Sequence, residues 1–253
     1  MYKRLNRGIV NGQLWNGTVR QSEPAQRPDA PHGTKNMNGR INYQRMLEDT
    51  IAAHRKAGEV PTLLLHSCCG PCSSYVLFYL SAYFGITVLY YNPNIYPPEE
   101  YQIRAKEQVR FIEEFNEKAV HPIRFAEGDY EPERFYAIAK GFEAEPERGA
   151  RCHRCYRLRL EEAARYAAEH HYDYITTTLS ISPQKDAAVL NAIGGEAAEQ
   201  YGVKYLFSDF KKKDGFLQST KLAAEYGMYR QDYCGCEFSL AARQAAKQKA
   251  GAI

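Results

Sequence analysis

No apolar run in the sequence approaches the roughly 20 residues that a membrane-spanning helix needs. Behind Met1-Tyr2-Lys3-Arg4 there is no apolar stretch of the kind a secretory signal carries. There is no internal repeat, and apart from an alanine-rich end there is no low-complexity tract. Strong charge of one sign is missing too, since the net charge is only +3, too little by itself to imply a nucleic-acid partner. These absences leave a cytoplasmic protein with no membrane partner. At 253 residues, 44% hydrophobic and 25% charged, the chain is long enough to bury a sizeable core.

What is present is cysteine. Seven cysteines in a cytosolic chain point to metal or redox chemistry more than to structural disulfides. They fall in three groups: Cys68, Cys69 and Cys72; Cys152 and Cys155; and Cys234 and Cys236. The first group follows the short apolar run Thr62 to Leu65 and precedes a helical pattern through Val76, Leu77 and Leu80. That run fits a strand buried on both faces of a parallel sheet, and Pro71 suits a first helical turn. These thiols are therefore expected at the carboxyl edge of a central strand, where open α/β sheets bind ligands. A helix N-terminus there favours thiolate.

The rest of the chain alternates strands and helices. Residues 1 to 40 are polar, rich in Asn, Gly, Pro and Arg, and read as an extended or flexible arm. Residues 41 to 253 read as a single α/β domain. Asn42 caps a helix through Met46, Leu47 and Ile51 to Gly58. Further strands are expected at Ile86–Tyr91, Pro122–Phe125, Tyr172–Thr177 and Val203–Phe207. Helices are expected at Glu99–Ala119 with Tyr101, Ile103, Val109, Ile112 and Phe115 inward, and at Cys152–His170. Others run from Ser182-Pro183 to about Tyr201, from Lys221 to Gly227, and from Glu237 to Lys249. Tyr130 to Arg148 is less regular. The alternation argues for a doubly wound, mostly parallel sheet.

Cys152 and Cys155 stand three apart on a helix, so their sulfurs share a face. With Cys68 and Cys69 they make four thiolates, the number required by an iron–sulfur cluster or a closed zinc site. On spacing alone, iron–sulfur, zinc and unligated thiols all remain open. Cys69-Gly70-Pro71-Cys72 is the tetrapeptide of thioredoxin active sites, so a thiol–disulfide oxidoreductase working through Cys69 and Cys72 is the alternative function. Against it stand the extra Cys68, the missing preceding Trp and the length of the chain. A Cys234–Cys236 disulfide would close a small, strained, easily reduced ring that Gly235 makes accessible; the lesser alternative is that the pair are further metal ligands.

Longer motifs carry a resemblance. They are Leu65-His66-Ser67-Cys68-Cys69-Gly70-Pro71, the stretch Tyr91 to Tyr101, and Arg151 to Leu160. They continue in Asp173 to Gln184, Ser208 to Lys211 and Tyr229 to Ser239. Over residues 62 to 240 the chain resembles the cobalamin-independent epoxyqueuosine reductases, the QueH-type family. The resemblance implies a sheet like that of PP-loop nucleotide hydrolases, the HUP-like fold. It implies a 4Fe-4S cluster held by Cys68, Cys69, Cys152 and Cys155, and a redox-active Cys234–Cys236 disulfide. It also implies the last step of queuosine synthesis, reduction of an epoxide on a base in a tRNA anticodon loop, with an unidentified electron donor. Where family members carry an Asp thought to hold one additional metal ion, such as iron, this sequence has Cys72; a thiolate there favours a softer metal.

Removing the epoxide oxygen requires a proton donor, for which Tyr96, Tyr233, Asp209 and His66 are the candidates. Asn92 and Asn94, in a loop at the ligand edge, and Thr177, at a strand end, are candidates for reading the base. Arg104, Arg151, Arg154, Arg157 and Lys211 to Lys213 are candidates for tRNA phosphate. Twenty tyrosines make stacking on a splayed base available as well.

Overall fold

The computed structural model describes residues 41–251. The expected N-terminal arm, residues 1 to 40, lies outside the described residues. Asn42 caps α1 (Tyr43–Ala57), accepting from the Arg45 backbone N–H at 3.1 Å. The chain then runs β1 (Thr62–His66), α2 (Gly70–Leu80), β2 (Gly85–Tyr90), α3 (Pro98–Asn116) and β3 (Arg124–Glu127). It continues through α4 (Pro132–Ala139), α5 (Ala150–Glu169), β4 (Tyr174–Thr177) and a 3-10 turn at Thr178–Ile181. Last come α6 (Ala187–Tyr201), β5 (Lys204–Tyr205), α7 (Gly215–Glu225) and α8 (Glu237–Gly251).

The five strands form one parallel sheet in the order β3-β2-β1-β4-β5. This is the doubly wound α/β architecture expected. Leu63, Leu64 and Leu65 are all fully buried because β1 is covered on both faces. Side chains alternate along a strand. Leu63 and Leu65 therefore pack with Val76, Leu77, Phe111 and Ile112 of α2 and α3. Leu64 faces the other way, onto Leu160, Ala163, Ala164 and Ala167 of α5 and Leu190 of α6. Each buried leucine contributes roughly 1.5–3 kcal/mol of transfer free energy. The alanines leave room for α5 to lie close over the sheet.

Strand order reverses between β1 and β4, which are hydrogen-bonded neighbours. The loops leaving their carboxyl ends part in opposite directions and open a crevice. The Cys68–Cys69 loop leaves one strand there, and the Thr178–Ile181 turn leaves the other.

Candidate thiol and metal centre

Cys69 is the extended residue before α2, with Pro71 in the first turn. Cys68, Cys69 and Cys72 bring their sulfurs within 4.8 Å of one another, and Cys68 and Cys69 are 3.8 Å apart. Three ligand atoms at that separation are what a metal ion needs. The thiols share protons. Hydrogen bonds from Cys69 and Cys72 hold Cys68 well below the ordinary thiol range. Sulfur–sulfur hydrogen bonding to Cys68 pushes Cys69 up to about 12 and Cys72 well up too.

The loop is anchored from below. His66 is fully buried and donates from Nε2 to the Tyr91 carbonyl at 3.2 Å. A carbonyl only accepts, so Nδ1 is the unprotonated nitrogen and accepts the Thr177 hydroxyl at 2.9 Å. Burial, with help from the Arg159 charge, brings His66 down to about 3, so the ring is neutral. Asn92 donates to the Ser67 carbonyl at 2.8 Å and accepts from Arg159 at 3.4 Å, tying the cysteine loop to α5.

Cys152 and Cys155 lie in the first turns of α5. Burial pushes Cys155 up to about 12, with Cys234, Cys236 and Cys152 adding to the rise. Cys155 packs with Cys236, Phe135 and Leu158. All seven cysteines are thiols in this structure. Cys68, Cys72, Cys152 and Cys234 line one cleft of about 530 Å3, while Cys69, Cys155 and Cys236 are buried and do not line it.

The same cleft sorts the remaining expected residues. Tyr233 lines it, with burial raising its hydroxyl to about 12. Asp209 does not; it pairs with Lys211 at 3.0 Å away from the cleft wall. Asn92, Asn94 and Thr177 are buried; Asn92 and Thr177 hydrogen-bond within the loops, while Asn94 keeps a buried Oδ1 without a partner. Arg104 and Arg151 are at most 4% exposed, which corrects their placement on a phosphate-binding surface. Arg104 pairs with Glu100 at 2.7 Å, and Arg151 donates to the Phe142 and Glu143 carbonyls. Arg154 stacks on the Phe142 ring at 4.1 Å, and Lys211 turns inward to the Ser180 carbonyl at 2.9 Å. Tyr96 is exposed but stands outside the cleft.

Two cleft residues escaped the sequence reading. Lys185 stands one position past the last residue of the Asp173–Gln184 motif, and Tyr156 inside another motif. Burial opposes the Lys185 charge, yet the facing Cys234, Cys68, Tyr156 and Cys72 outweigh it and raise its pKa.

Sheet order and cleft define a class: an α/β protein whose cysteines meet at the switch point, a placement suited to metal or redox chemistry. The chain belongs to the epoxyqueuosine reductase QueH family, whose model, described as "Epoxyqueuosine reductase QueH", matches residues 63–242. It is 44% identical over 207 residues to the epoxyqueuosine reductase QueH of Staphylococcus epidermidis, covering 81% of this chain and 87% of that one. The Haemophilus influenzae protein of the same name is 37% identical over 220 residues, 84% of this chain and 87% of that one. The Thermotoga maritima one is 34% identical over 186 residues, 72% and 92% of the two chains.

Proposed function

We propose that the protein is an epoxyqueuosine reductase, an oxidoreductase of queuosine biosynthesis, acting in the cytoplasm on the anticodon loop of a tRNA. Two electrons and two protons convert the epoxide to the alkene of queuosine, and the oxygen leaves as water. The observation that carries the reading is the convergence of Cys68, Cys72, Cys152 and Cys234 on one switch-point cleft in a chain of this family.

In this reading Cys68, Cys69, Cys152 and Cys155 hold a 4Fe-4S cluster, and Cys72 is left for one additional iron ion. The residues fit an anionic group. Arg159 is 1% exposed, has no carboxylate at ion-pair distance among the described residues, and keeps a buried Nη2 without a partner. Lys185 faces the same sulfurs. Buried cations need anions beside them, which metal-bound thiolates supply. When bound, the cluster supplies single electrons and the iron supplies Lewis acidity toward the leaving oxygen.

The chain's own residues do the rest. Cys234 and Cys236 store an electron pair as dithiol and release it as disulfide, to be reduced again by an external donor. Tyr233, protonated at neutral pH, holds a proton on the cleft wall; its hydroxyl rests on the Tyr96 carbonyl at 2.5 Å.

The thioredoxin-like alternative is not favoured. Cys69 is 1% exposed, so it is not placed to attack a partner's disulfide, and a third sulfur shares the site. Anaerobic purification tests the reading. The protein should be brown, absorb broadly near ~400 nm, and lose iron on Cys155→Ser. Colourless, iron-free protein, or a Cys155→Ser variant with unchanged iron and spectrum, would sink it.

A further inference from the structure

We propose that Arg148, Arg230 and Phe216, on the rim of the cleft, seat the RNA strand that carries the modified base; this rests on the tRNA reading above. A cleft of about 530 Å3 is the size of a small-ligand pocket and admits one nucleoside, not a helix. The base must then leave its stack, and its flanking phosphates stay at the rim.

Lys185 also lines the cleft but faces the thiols, and the cations left for phosphate follow by elimination. Arg104, Arg151 and Arg159 are buried. Arg157 pairs with Glu196 at 2.6 Å, and Lys213 pairs with Glu48. Three arginines line the cleft, and Arg243 is held by Asp232 at 3.0 Å. Arg148 and Arg230 are exposed and have no carboxylate at ion-pair distance among the described residues. Arg148 donates from its guanidinium to the neutral Gln184 side chain and from its backbone N–H to Cys152 Sγ at 3.3 Å. It lies on the loop entering α5, while Arg230 lies on the loop leaving α7, so the two reach the rim from separate segments. The rim is not uniformly positive: Glu147 lines it too, and Asp232 is neutralised by Arg243 and Lys247.

Phe216 sits in the first turn of α7 and lines the same cleft with 43% of its surface exposed. An aromatic ring left wet at a cleft mouth is a stacking platform for a base. Arg148→Gln leaves in place the backbone N–H that Arg148 donates to Cys152 Sγ, and neither Arg230 nor Phe216 hydrogen-bonds a thiol through its side chain.

The test is binding of an unmodified tRNA anticodon stem-loop to the anaerobically purified protein across a salt series. Arg148→Gln and Arg230→Gln should each weaken binding and flatten the salt dependence by about 0.7–1 in the log–log slope. Phe216→Leu should weaken binding roughly tenfold without changing the slope, and Phe216→Tyr should restore it. Lys118→Gln, exposed but off the cleft, should bind as the parent does. If the parent binds and the three rim variants match it in affinity and slope, the rim assignment is overturned while the tRNA reading stands. A parent that binds no RNA at any salt, yet reduces the free nucleoside, overturns both.

Discussion

The Arg104 side chain donates from Nη1 to the carbonyl oxygen of Cys234 at 3.2 Å. A buried guanidinium thus props the turn that carries the terminal dithiol. Glu100 holds the guanidinium at 2.7 Å and also accepts the Tyr229 hydroxyl at 2.8 Å. The Tyr233 ring lies 5.1 Å from the Arg104 guanidinium carbon. The ion pair thus ties Tyr229, Tyr233 and Cys234 to α3, beside the Tyr229 N–H that Glu107 accepts at 3.0 Å.

That pair predicts a stability pattern. Arg104→Met leaves the Glu100 carboxylate buried and uncompensated, which costs about 3–5 kcal/mol. In a chain of this size the loss should lower the melting temperature on the order of 10 °C. Adding Glu100→Gln removes the stranded charge and should recover much of the loss. Thermal unfolding of the two variants checks it, and a double variant no more stable than Arg104→Met would refute the buried-charge account.

Arg104 also marks where sequence reading stopped. Periodicity put Ile103 inward on α3; in the structure Ile103 is 45% exposed and Arg104 is buried. Apolar periodicity does not register a polar side chain whose partners come from distant segments. The same holds for Lys185, which lines a cleft whose other walls come from distant segments. By contrast, β1 and its cysteine loop were legible, because Leu63 to Leu65 and Pro71 are local signals. Between them, β4 and its neighbours were partly legible. Ser182-Pro183 reads as a helix start, but α6 begins only after Asp186, whose carboxylate accepts the Ala188 N–H at 2.7 Å. β5 is two residues long, not five. Beyond it, Thr176 donates to the Leu206 carbonyl and Asn191 accepts the Ser208 N–H, so side chains take over the ladder's partners.

Acid should loosen the fold at two carboxylates held by arginines, Glu107 and Glu162. Hydrogen bonds from Arg110 hold Glu107 below the ordinary glutamate range, against some burial. Burial raises Glu162, but hydrogen bonds from Arg165 and the charge of Arg134 outweigh it, and its pKa too is lowered. A lowered folded-state pKa means the unfolded chain binds protons first as pH falls. The stabilisation is present above the unfolded value near 4.5 and is lost as pH drops through the folded one. Melting temperature should therefore fall below about pH 4.5, less steeply in Glu107→Gln/Glu162→Gln. Identical slopes for parent and double variant would assign the acid sensitivity elsewhere.

In the proposed reading Cys72 is the ligand of a second metal beside the cluster. Its sulfur stands within 4.8 Å of Cys68 and Cys69, although four other thiolates complete a cluster in the proposed reading. If it holds the additional ion, Cys72→Ser should lose about one iron per chain and keep the cluster's visible absorption. Cys72→Asp, which restores a hard oxygen ligand, should recover iron binding and favour harder divalent metals in competition. Iron, sulfide and spectra measured together decide it. Loss of the whole spectrum with Cys72→Ser would make Cys72 a cluster ligand.

The dithiol turn carries the sharpest expectation. Gly235 has φ +134, a conformation that side chains rarely adopt, and a Cβ there would come within 3.1 Å of Arg104 Nη1 and 3.2 Å of Ile95. The backbone between Cys234 and Cys236 is thus fixed by glycine and by the Arg104 guanidinium, which donates to the Cys234 carbonyl. A disulfide across a single residue is strained, so it is relatively oxidising and readily reduced again. Cys234→Ser, prepared without oxygen, should keep its iron and lose multiple-turnover queuosine formation. Gly235→Ala should act alike but less completely, since strain of about 1–3 kcal/mol shifts the turn without removing a sulfur. Loss of iron in Cys234→Ser would instead make the pair metal ligands. Full activity in that variant would remove both thiols from electron transfer, leaving the second electron to arrive directly from the external donor.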